Sequence, residues 1–566
     1  MIDFSNDPRE SEKQIQAIIT YLVVFGYIDG DFDRSEKEFI REYIGQIVDR
    51  KLEQGDAYRA LPPPALKQLR TEQIEHYNQV FESLDEQIQE DMTESVTKEE
   101  SSKAYVRHRL KLRCFEIFRS FEPENRNALM DVIDEFIMAD GVSHPAEVEF
   151  RNELADLLNL EPMLDMDDLE VIASSLQITE EVKLQHAEKN NPFMRNLERH
   201  YSKDPEERAV QAHEEMAAVQ RELALLEKLR AAGRGKLSTA QKFSELMNGD
   251  EFLDGYVYVI PPKPGRSYEI TVLGDLHGCY TCLKAALLQA DFFNKVEAFR
   301  RDPEHTPEPK VVLLGDYNDR GKFSYQGILR AVMELHQKYP EHIYPLRGNH
   351  EYYIEYEGRI YGGVLPAEAI NTARDYLPRD FFVTYMKFFE EIPTVAVFDR
   401  IFFVHAGIPK DSVLEDWPNL ARLNEPEVRF QMLWSDPSEA DIIPKSLQEE
   451  SARFPFGTLQ FASFMASVGC NVMIRGHTKV VQGFKTVLDD GNNKLLNLFS
   501  AGGKNNDDLP VGSSYRAVTP KALTITWQDG EMTASPWTID YEDFNQAMYN
   551  RFASGEPAFD LEESGK

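Results

Sequence analysis

Five short segments in the second half of the chain share one design, and this design limits the possible folds most strongly. In each of them an apolar run of β type ends in a turn of Gly, Asp, Asn, Arg or His. Buried strands that end in polar turns place those turns at the rim of a sheet. We therefore expect an α/β fold whose polar turns meet along one rim of a sheet. The runs and their turns are 268–273 with 274–278, 311–314 with 315–321, 342–346 with 347–351, 401–404 with 405–407, and 471–474 with 475–478.

The turns carry a set of side chains that can bind metal ions. The set contains two carboxylates, three imidazoles and one amide oxygen but no thiolate, which suits Mn, Fe or Zn in an open site and not a closed structural zinc site. Six ligands are too many for one ion that keeps an open position, so two ions sharing a carboxylate fit better. Such a pair is the usual solution for phosphoester hydrolysis. The six residues are Asp275, His277, Asp316, Asn349, His405 and His477.

The motifs resemble those of the PPP-type phosphoprotein phosphatases of the calcineurin-like metallophosphoesterase superfamily. The family pattern GDxHG, GDxVDRG, GNHE, HGG and RxH reads here GDLHG, GDYNDRG, GNHE, HAG and RGHT, and the likeness covers about 267–530. It implies a catalytic domain over 249–535, built as a β-sandwich flanked by helices, and a C-terminal extension over 536–566. The whole chain is then multidomain, with an all-α N-terminal half.

The resemblance also implies roles for individual residues. Asp275, His277 and His477 would bind the first metal ion, Asn349 and His405 the second, and Asp316 would bridge them, so that a metal-activated hydroxide attacks phosphorus.

In the same comparison, His350 would protonate the leaving alkoxide and Asp319 would orient His350. Arg320 and Asn349 would bind the substrate phosphate, and the guanidinium fork of arginine suits phosphate oxygens. Arg453, directly before Phe454-Pro455-Phe456-Gly457, is a candidate for a second phosphate-binding arginine, and the alternative is an ordinary surface residue.

Some positions depart from the family pattern without removing a ligand. Asn318 replaces a valine, Ala406 replaces a glycine, and Ser500–Asn505 lacks the family's tyrosine at the edge of the site. A CxxC pair, Cys279 and Cys282, follows the first metal turn. It could be redox-active or bind metal, but two buried helix cysteines are the simpler interpretation.

The first 180 residues are helical in pattern and contain an internal repeat. Ile28-Asp29-Gly30 and Ala139-Asp140-Gly141 each precede an acidic segment that ends in Glu-x-Glu-Phe, at Phe39 and Phe150. The repeat resembles tellurite-resistance TerB-like helical domains. Each turn can be a helix cap or a weak acidic metal or partner site. An EF-hand is excluded because its sixth and twelfth positions would be Arg34 and Ile40.

Residues 181–248 are predicted to be a helical linker. Asp204-Pro205 predicts a helix start, and a heptad seam follows, which indicates either a helix packed on its own domain or a coiled-coil arm that dimerises. The seam residues are Ala209, Ala212, Met216, Val219, Leu223 and Leu226.

The composition limits the binding partners and the cellular compartment that we expect for the protein. With 62 basic and 97 acidic residues the net charge is −35, which argues against binding nucleic acid or anionic lipid. The sequence contains no run of about 18 apolar residues, so it predicts no membrane span. No signal peptide is recognisable. The four cysteines are too few for a disulfide framework in a chain of this length. We expect a cytoplasmic protein.

Together these features predict a metal-dependent phosphomonoesterase that acts on phosphoserine or phosphothreonine in proteins, with a regulatory or partner-binding helical half. Two alternatives stay open: a hydrolase of nucleotides or diadenosine polyphosphates, and an inactive phosphatase-like scaffold. The complete ligand set and the Asp319–His350 pair argue against the scaffold.

Overall fold

The computed structural model describes residues 8–27, 32, 34–54, 62–91, 95–96, 111–112, 114–116, 145–158, 174–414 and 416–554. The chain forms two compact units. The first, here the helical unit, comprises 1–164 and 438–457, and the second, here the catalytic unit, comprises 165–437 and 458–566. None of the described helices is long and apolar enough to cross a membrane.

The helices, numbered in chain order, are α1 Pro8–Gly26, α2 Arg34–Gln54, α3 Pro63–Asp91, α4 Pro145–Leu158, α5 Pro192–Leu197, α6 Pro205–Gly233, α7 Tyr280–Gln289, α8 Phe292–Arg301, α9 Arg330–Lys338, α10 Glu368–Ala373, α11 Arg379–Glu391, α12 Asp411–Leu414, α13 Pro426–Met432, α14 Lys445–Glu449 and α15 Thr458–Val468.

The strands are β1 Ser95–Val96, β2 Leu176–Ile178, β3 Phe252–Asp254, β4 Val257–Ile260, β5 Ser267–Leu273, β6 Glu308–Leu313, β7 Ile343–Pro345, β8 Tyr353–Tyr356, β9 Arg359–Gly362, β10 Val364–Leu365, β11 Val395–Phe398, β12 Ile401–Val404, β13 Asp436–Pro437, β14 Pro455–Phe456, β15 Val472–Arg475, β16 Phe484–Asp489, β17 Lys494–Leu498, β18 Lys521–Gln528 and β19 Glu531–Thr538.

The helical unit is held together by an apolar core. α1 places apolar side chains at helical spacing, and these are buried together with side chains of α2, α3 and α4. The segment 438–457 adds Ile443 and Leu447 to this core. The Asp-Gly turns of the repeat, at 29–30 and 140–141, lie outside the described residues, so the TerB-like resemblance stays a prediction.

The catalytic unit contains two large sheets. One has the order β2-β19-β18-β5-β6-β7 and the other β16-β17-β15-β12-β11-β4-β3. Side chains of both sheets belong to one buried cluster, which includes Ile270 and Val272 of β5 and Ile401 and Phe403 of β12. Both sheets therefore contribute to one core.

The five predicted runs are strands, but they are divided between the two sheets. β5, β6 and β7 are parallel neighbours in the first sheet, and β12 and β15 are parallel neighbours in the second. The expectation that all five turns lie along the rim of one sheet was wrong, because an apolar run does not say which sheet it joins. The turns still meet: a bridge between Asp275 and Phe499 joins the residue two positions beyond β5 to the residue directly after β17.

α6 begins at Pro205, as predicted, with Asp204 accepting hydrogen bonds from the backbone N–H groups of Glu206 and Glu207. It packs on α9, α11 and β3, which agrees with a helix packed on its own domain. The linker predicted over 181–248 is thus part of the catalytic unit.

The buried face of α6 differs from the predicted seam. It carries Glu215 and Glu222, which pair with Arg330 and His336 of α9. Met216 and Leu223 of the predicted seam are only partly buried. Buried hydrogen-bonding partners on α9 let carboxylates occupy positions that sequence patterns assign to solvent.

The two ends of the catalytic unit extend past their predicted limits. β2, inside the region predicted as helical, pairs in parallel with β19. The predicted extension from 536 onward continues β19 to Thr538 and buries Phe544 and Phe552 in the unit's core.

Candidate metal centre and phosphate site

The ligand-bearing turns hold non-glycine residues in left-handed backbone conformations. The φ angles are positive at His277 (39°), Asp316 (51°), Asp319 (64°), Arg320 (64°) and His477 (67°). Such conformations cost free energy and cluster at functional sites. The surrounding backbone packs closely enough to enforce them: a Cβ on Gly348 would lie 2.2 Å from the backbone nitrogen of Asp316.

One group of ligands surrounds Asp316 and His277. The Nε2 atom of His277 lies 3.5 Å from Oδ2 of Asp316 and 3.8 Å from Oδ2 of Asp275. The Nδ1 atom of His277 lies 2.8 Å from the backbone carbonyl oxygen of Asn318, which orients the ring so that Nε2 faces the carboxylates.

A second group contains His405, His477 and Asn349, whereas the resemblance would assign His477 to the first metal ion. The Nε2 atom of His405 lies 3.3 Å from Oδ1 of Asp316 and 2.9 Å from the Asn349 side-chain amide, which is 3.2 Å from Nδ1 of His477. The backbone N–H of His477 donates to Oδ1 of Asp275. Asp316 takes part in both groups, so all six predicted ligands come together around it.

The donor set fits divalent cations. All six side chains are buried, and Oδ2 of Asp275 accepts no hydrogen bond from the residues that the structure describes. Burial raises the pKa of Asp275 to about 7 and that of Asp316 well above its usual range. Burial also lowers the pKa values of His277 and His405. Neutral imidazoles beside desolvated carboxylates are an environment that bound cations would stabilise.

His350 and Asp319 form a hydrogen-bonded pair beside the ligands. The Nδ1 atom of His350 lies 2.7 Å from Oδ2 of Asp319, whose Oδ1 accepts from the backbone N–H of Ala369. Burial raises the Asp319 pKa to about 6. The backbone N–H of His350 donates to Oδ1 of Asp316, which ties the pair to the ligand cluster.

Sequence reasoning gave Glu351 no role at the site, yet its carboxylate organises the Asp316 turn. It is fully buried. Its Oε2 accepts from the backbone N–H groups of Asp316 and Gly348, and its Oε1 from those of Tyr317 and Asn318, at 2.8 to 3.2 Å. The sequence signal that could have identified this role is the position of Glu351 as the last residue of the GNHE motif.

Arg320 lies at the site, but its guanidinium already donates hydrogen bonds to other residues of the protein. Its Nη1 donates to the carbonyl oxygen of Pro366 at 2.9 Å and to Oε1 and Oε2 of Glu368 at 3.1 and 2.9 Å. Sequence reasoning missed Glu368 because it lies outside every motif.

Arg453 lies in the segment 438–457 of the helical unit, where its backbone N–H donates to Ser451 Oγ. Its role as a phosphate ligand stays a prediction.

Two further features concern the edge of the site. The ring of Tyr515 lies 5.3 Å from that of His277, so an aromatic residue does lie beside this ligand, from a position fifteen residues beyond Ser500. Cys279 and Cys282 are fully buried at the start of α7, and burial raises the Cys279 pKa, which agrees with the simpler interpretation of this pair.

The region of the site matches a known protein family. Residues 268–481 match the model of the calcineurin-like phosphoesterase family. Among solved structures, the chain is similar to a protein serine/threonine phosphatase from Saccharomyces cerevisiae described as similar to human phosphatase PP5, at 17% identity over 57% of this chain and 89% of that chain, with a TM-score of 0.37. It is also similar to a cold-active protein-tyrosine phosphatase of a psychrophilic Shewanella, at 16% identity over 50% and 82%, with a TM-score of 0.27. From the family match and the ligand geometry together, the catalytic unit contains a calcineurin-like metallophosphoesterase domain.

Proposed function

We propose that the protein is a metal-dependent phosphomonoesterase that removes phosphate from phosphoserine or phosphothreonine in proteins. The observation that carries the proposal is the Asp319–His350 pair, tied by one hydrogen bond to a cluster of six metal-ligand side chains. The arrangement supplies both an acid for the leaving group and a site for cations.

The six ligands Asp275, His277, Asp316, Asn349, His405 and His477 would hold two divalent ions, of Mn, Fe or Zn type. Ions bound there supply water of lowered pKa and neutralise phosphate charge.

The protein's own groups do the rest. Asp319 holds His350 through Nδ1, which leaves Nε2 as the nitrogen that can pass a proton to the leaving oxygen. The Arg320 guanidinium binds phosphate oxygens once it exchanges its present carboxylate partner. The side-chain amide of Asn349, which lies beside His405 and His477, would contribute a further contact to phosphate.

The charge of the chain favours protein substrates over polyanions. A chain of net charge −35 repels nucleotides at a distance, whereas basic segments of a phosphoprotein are attracted. We infer that the helical unit recruits or regulates, through a protein partner. The buried cysteines agree with a reducing compartment such as the cytoplasm.

The decisive experiment compares substrates. The full chain with Mn²⁺ is given a phosphoserine peptide, a phosphotyrosine peptide or diadenosine tetraphosphate, and the metal content of the same sample is measured. We expect the phosphoserine peptide to be hydrolysed fastest, with about two metal ions per chain. Cleavage of diadenosine tetraphosphate alone would support the nucleotide hydrolase, and no turnover by the metal-loaded protein would support the scaffold. Either result would disprove the proposal.

A further inference from the structure

We propose that Glu368 competes with phosphate for Arg320, and that this competition weakens the binding of free phosphate to the site. The inference rests on the proposed function for the identity of the substrate. It concerns a carboxylate that no motif contains, 48 residues after Arg320 in the chain.

The contact is close and specific. Nη1 of Arg320 lies within 3.1 Å of both Glu368 oxygens and 2.9 Å from the carbonyl oxygen of Pro366. A guanidinium Nη has two N–H bonds. The carbonyl and the carboxylate together occupy both of them, so a phosphate oxygen can bind Nη1 only by displacing one of these acceptors.

The carboxylate is the acceptor that can leave. Pro366 O is part of the backbone, whereas Glu368 is the first residue of α10 and its side chain is 27% exposed, against 7% for Arg320. A glutamate at this position can turn to solvent without moving the backbone. The Ala369 N–H, which donates to Asp319, then keeps its place.

The chemistry of the two anions explains the consequence. Carboxylate and phosphate both match the guanidinium fork, so each lowers the affinity of Arg320 for the other. A substrate has further contacts through its protein part, but inorganic phosphate has none. Glu368 therefore weakens the phosphate contact of both ligands, but the substrate keeps its other contacts while free phosphate is released more easily after each turnover.

The test uses Glu368→Gln, which removes the charge but keeps the side-chain length and an acceptor oxygen. We expect inorganic phosphate to inhibit this variant about two- to five-fold more strongly than the parent, the range of a partly exposed ion pair. The KM for a phosphopeptide should fall as well. Glu368→Asp, which withdraws the carboxylate by one methylene, should shift phosphate inhibition in the same direction.

The matched control is Glu334→Gln. Glu334 pairs with Arg221 at 3.0 Å and its side chain is 32% exposed, and neither residue belongs to the site. This variant should show the parent's phosphate inhibition. Equal or weaker inhibition of folded Glu368→Gln compared with the parent would overturn the inference.

A binding measurement separates this inference from the proposed function. Calorimetric titration of the Mn²⁺-loaded full chain with inorganic phosphate needs no turnover. If the parent hydrolyses no phosphoprotein but Glu368→Gln binds phosphate more tightly, the inference holds and the proposed substrate is wrong. If hydrolysis is found and the phosphate affinity does not change, only the inference fails.

Discussion

The core of the helical unit and the candidate metal centre of the catalytic unit both bury charged side chains, but they do so in different ways. In the helical unit the buried lysines face carboxylates: Lys51 lies beside Glu12 and Tyr77, and Lys111 beside Glu153 and Glu450. At the metal centre of the catalytic unit, carboxylates lie instead among imidazoles and another carboxylate, as Asp316 does with His277, His405 and Asp275.

The difference separates a structural use of charge from a functional one. In a buried ion pair, as in the helical unit, each charge is compensated by its partner. Desolvated carboxylates beside neutral imidazoles lower the stability of the fold unless a cation is added. We therefore place the chemistry in the catalytic unit, and the following changes test this contrast, from the largest expected effect to the smallest.

Loss of a central ligand or of the acid should stop catalysis without unfolding the protein. We expect Asp316→Asn to reduce phosphatase activity to background and His350→Ala to reduce it by about 10²–10⁴-fold, with melting curves near that of the parent. Glu12→Gln in the helical unit should keep full activity. Equal activity in the parent and the two site variants would disprove the mechanism.

Glu351→Gln should disturb the ligands indirectly. One carboxylate oxygen becomes an NH₂ group that faces two backbone donors, so Glu351 loses two of its four backbone hydrogen bonds, three of which come from the Asp316 turn and one from Gly348. We expect metal affinity and activity to fall about 10–100-fold. Metal titration and assay at saturating metal measure both, and unchanged metal affinity would contradict the role given to Glu351.

The pH dependence of stability should differ in sign between the units. Burial raises the pKa of Asp508 in the catalytic unit from 3.8 to about 7. Its folded-state pKa exceeds the unfolded value, so its contribution to stability is present below about pH 4 and is lost as the pH rises to about 7.

Glu12 in the helical unit behaves in the opposite way. Burial acts to raise its pKa, but hydrogen bonds from Tyr77 and His76 and the charge of Lys51 bring it below the usual 4.5. Its contribution is present above pH 4.5 and is lost as the pH falls further.

Unfolding of Asp508→Asn and Glu12→Gln from pH 3 to 8 tests the two signs. Relative to the parent, Asp508→Asn should gain up to about 4 kcal/mol between pH 4 and 7. Glu12→Gln should be less stable than the parent above pH 4.5, and this difference should disappear only below that pH. If both variants showed the same pH trend, the predicted difference in sign between the two units would be wrong.

The smallest effects concern polar atoms. Asn318 is fully buried and its amide has no hydrogen-bond partner among the described residues, so Asn318→Val should raise the free energy of unfolding by about 1–3 kcal/mol. Tyr77→Phe in the helical unit, which removes the hydroxyl that contacts Glu12 and Lys51, should lower it by about 0.5–1.5 kcal/mol. Urea unfolding measures both, and a destabilised Asn318→Val would show that this amide has a partner.

The sequence predicted the strands and the grouping of the six candidate ligands because each candidate follows closely on an apolar run, as Asp275 follows β5 and His477 follows β15. It also predicted the start of α6 from Asp204 and Pro205. These features depend on neighbours in the chain, which a sequence displays.

Features that depend on distant segments were not predictable. The division of the strands between two sheets depends on pairing partners. The Glu368–Arg320 contact depends on how α9 and β7 to β10, which lie between these two residues in the chain, return it to the site. From the sequence, Glu215 and Glu222 are expected to face solvent. They are buried because α9 provides hydrogen-bonding partners for them.

The segment 438–457 has a consequence for how the chain is made. The core of the helical unit includes Ile443 and Leu447, but about 270 residues of the catalytic unit lie between residue 164 and this segment. Since synthesis runs from the N-terminus and domains ordinarily fold in that order, the ribosome completes the helical core only after it has made β12 and most of the ligands. The helical unit therefore cannot be completed before residues 165–437 of the catalytic unit have been made, and α1 to α4 must wait for their last apolar contacts while these metallophosphoesterase strands emerge.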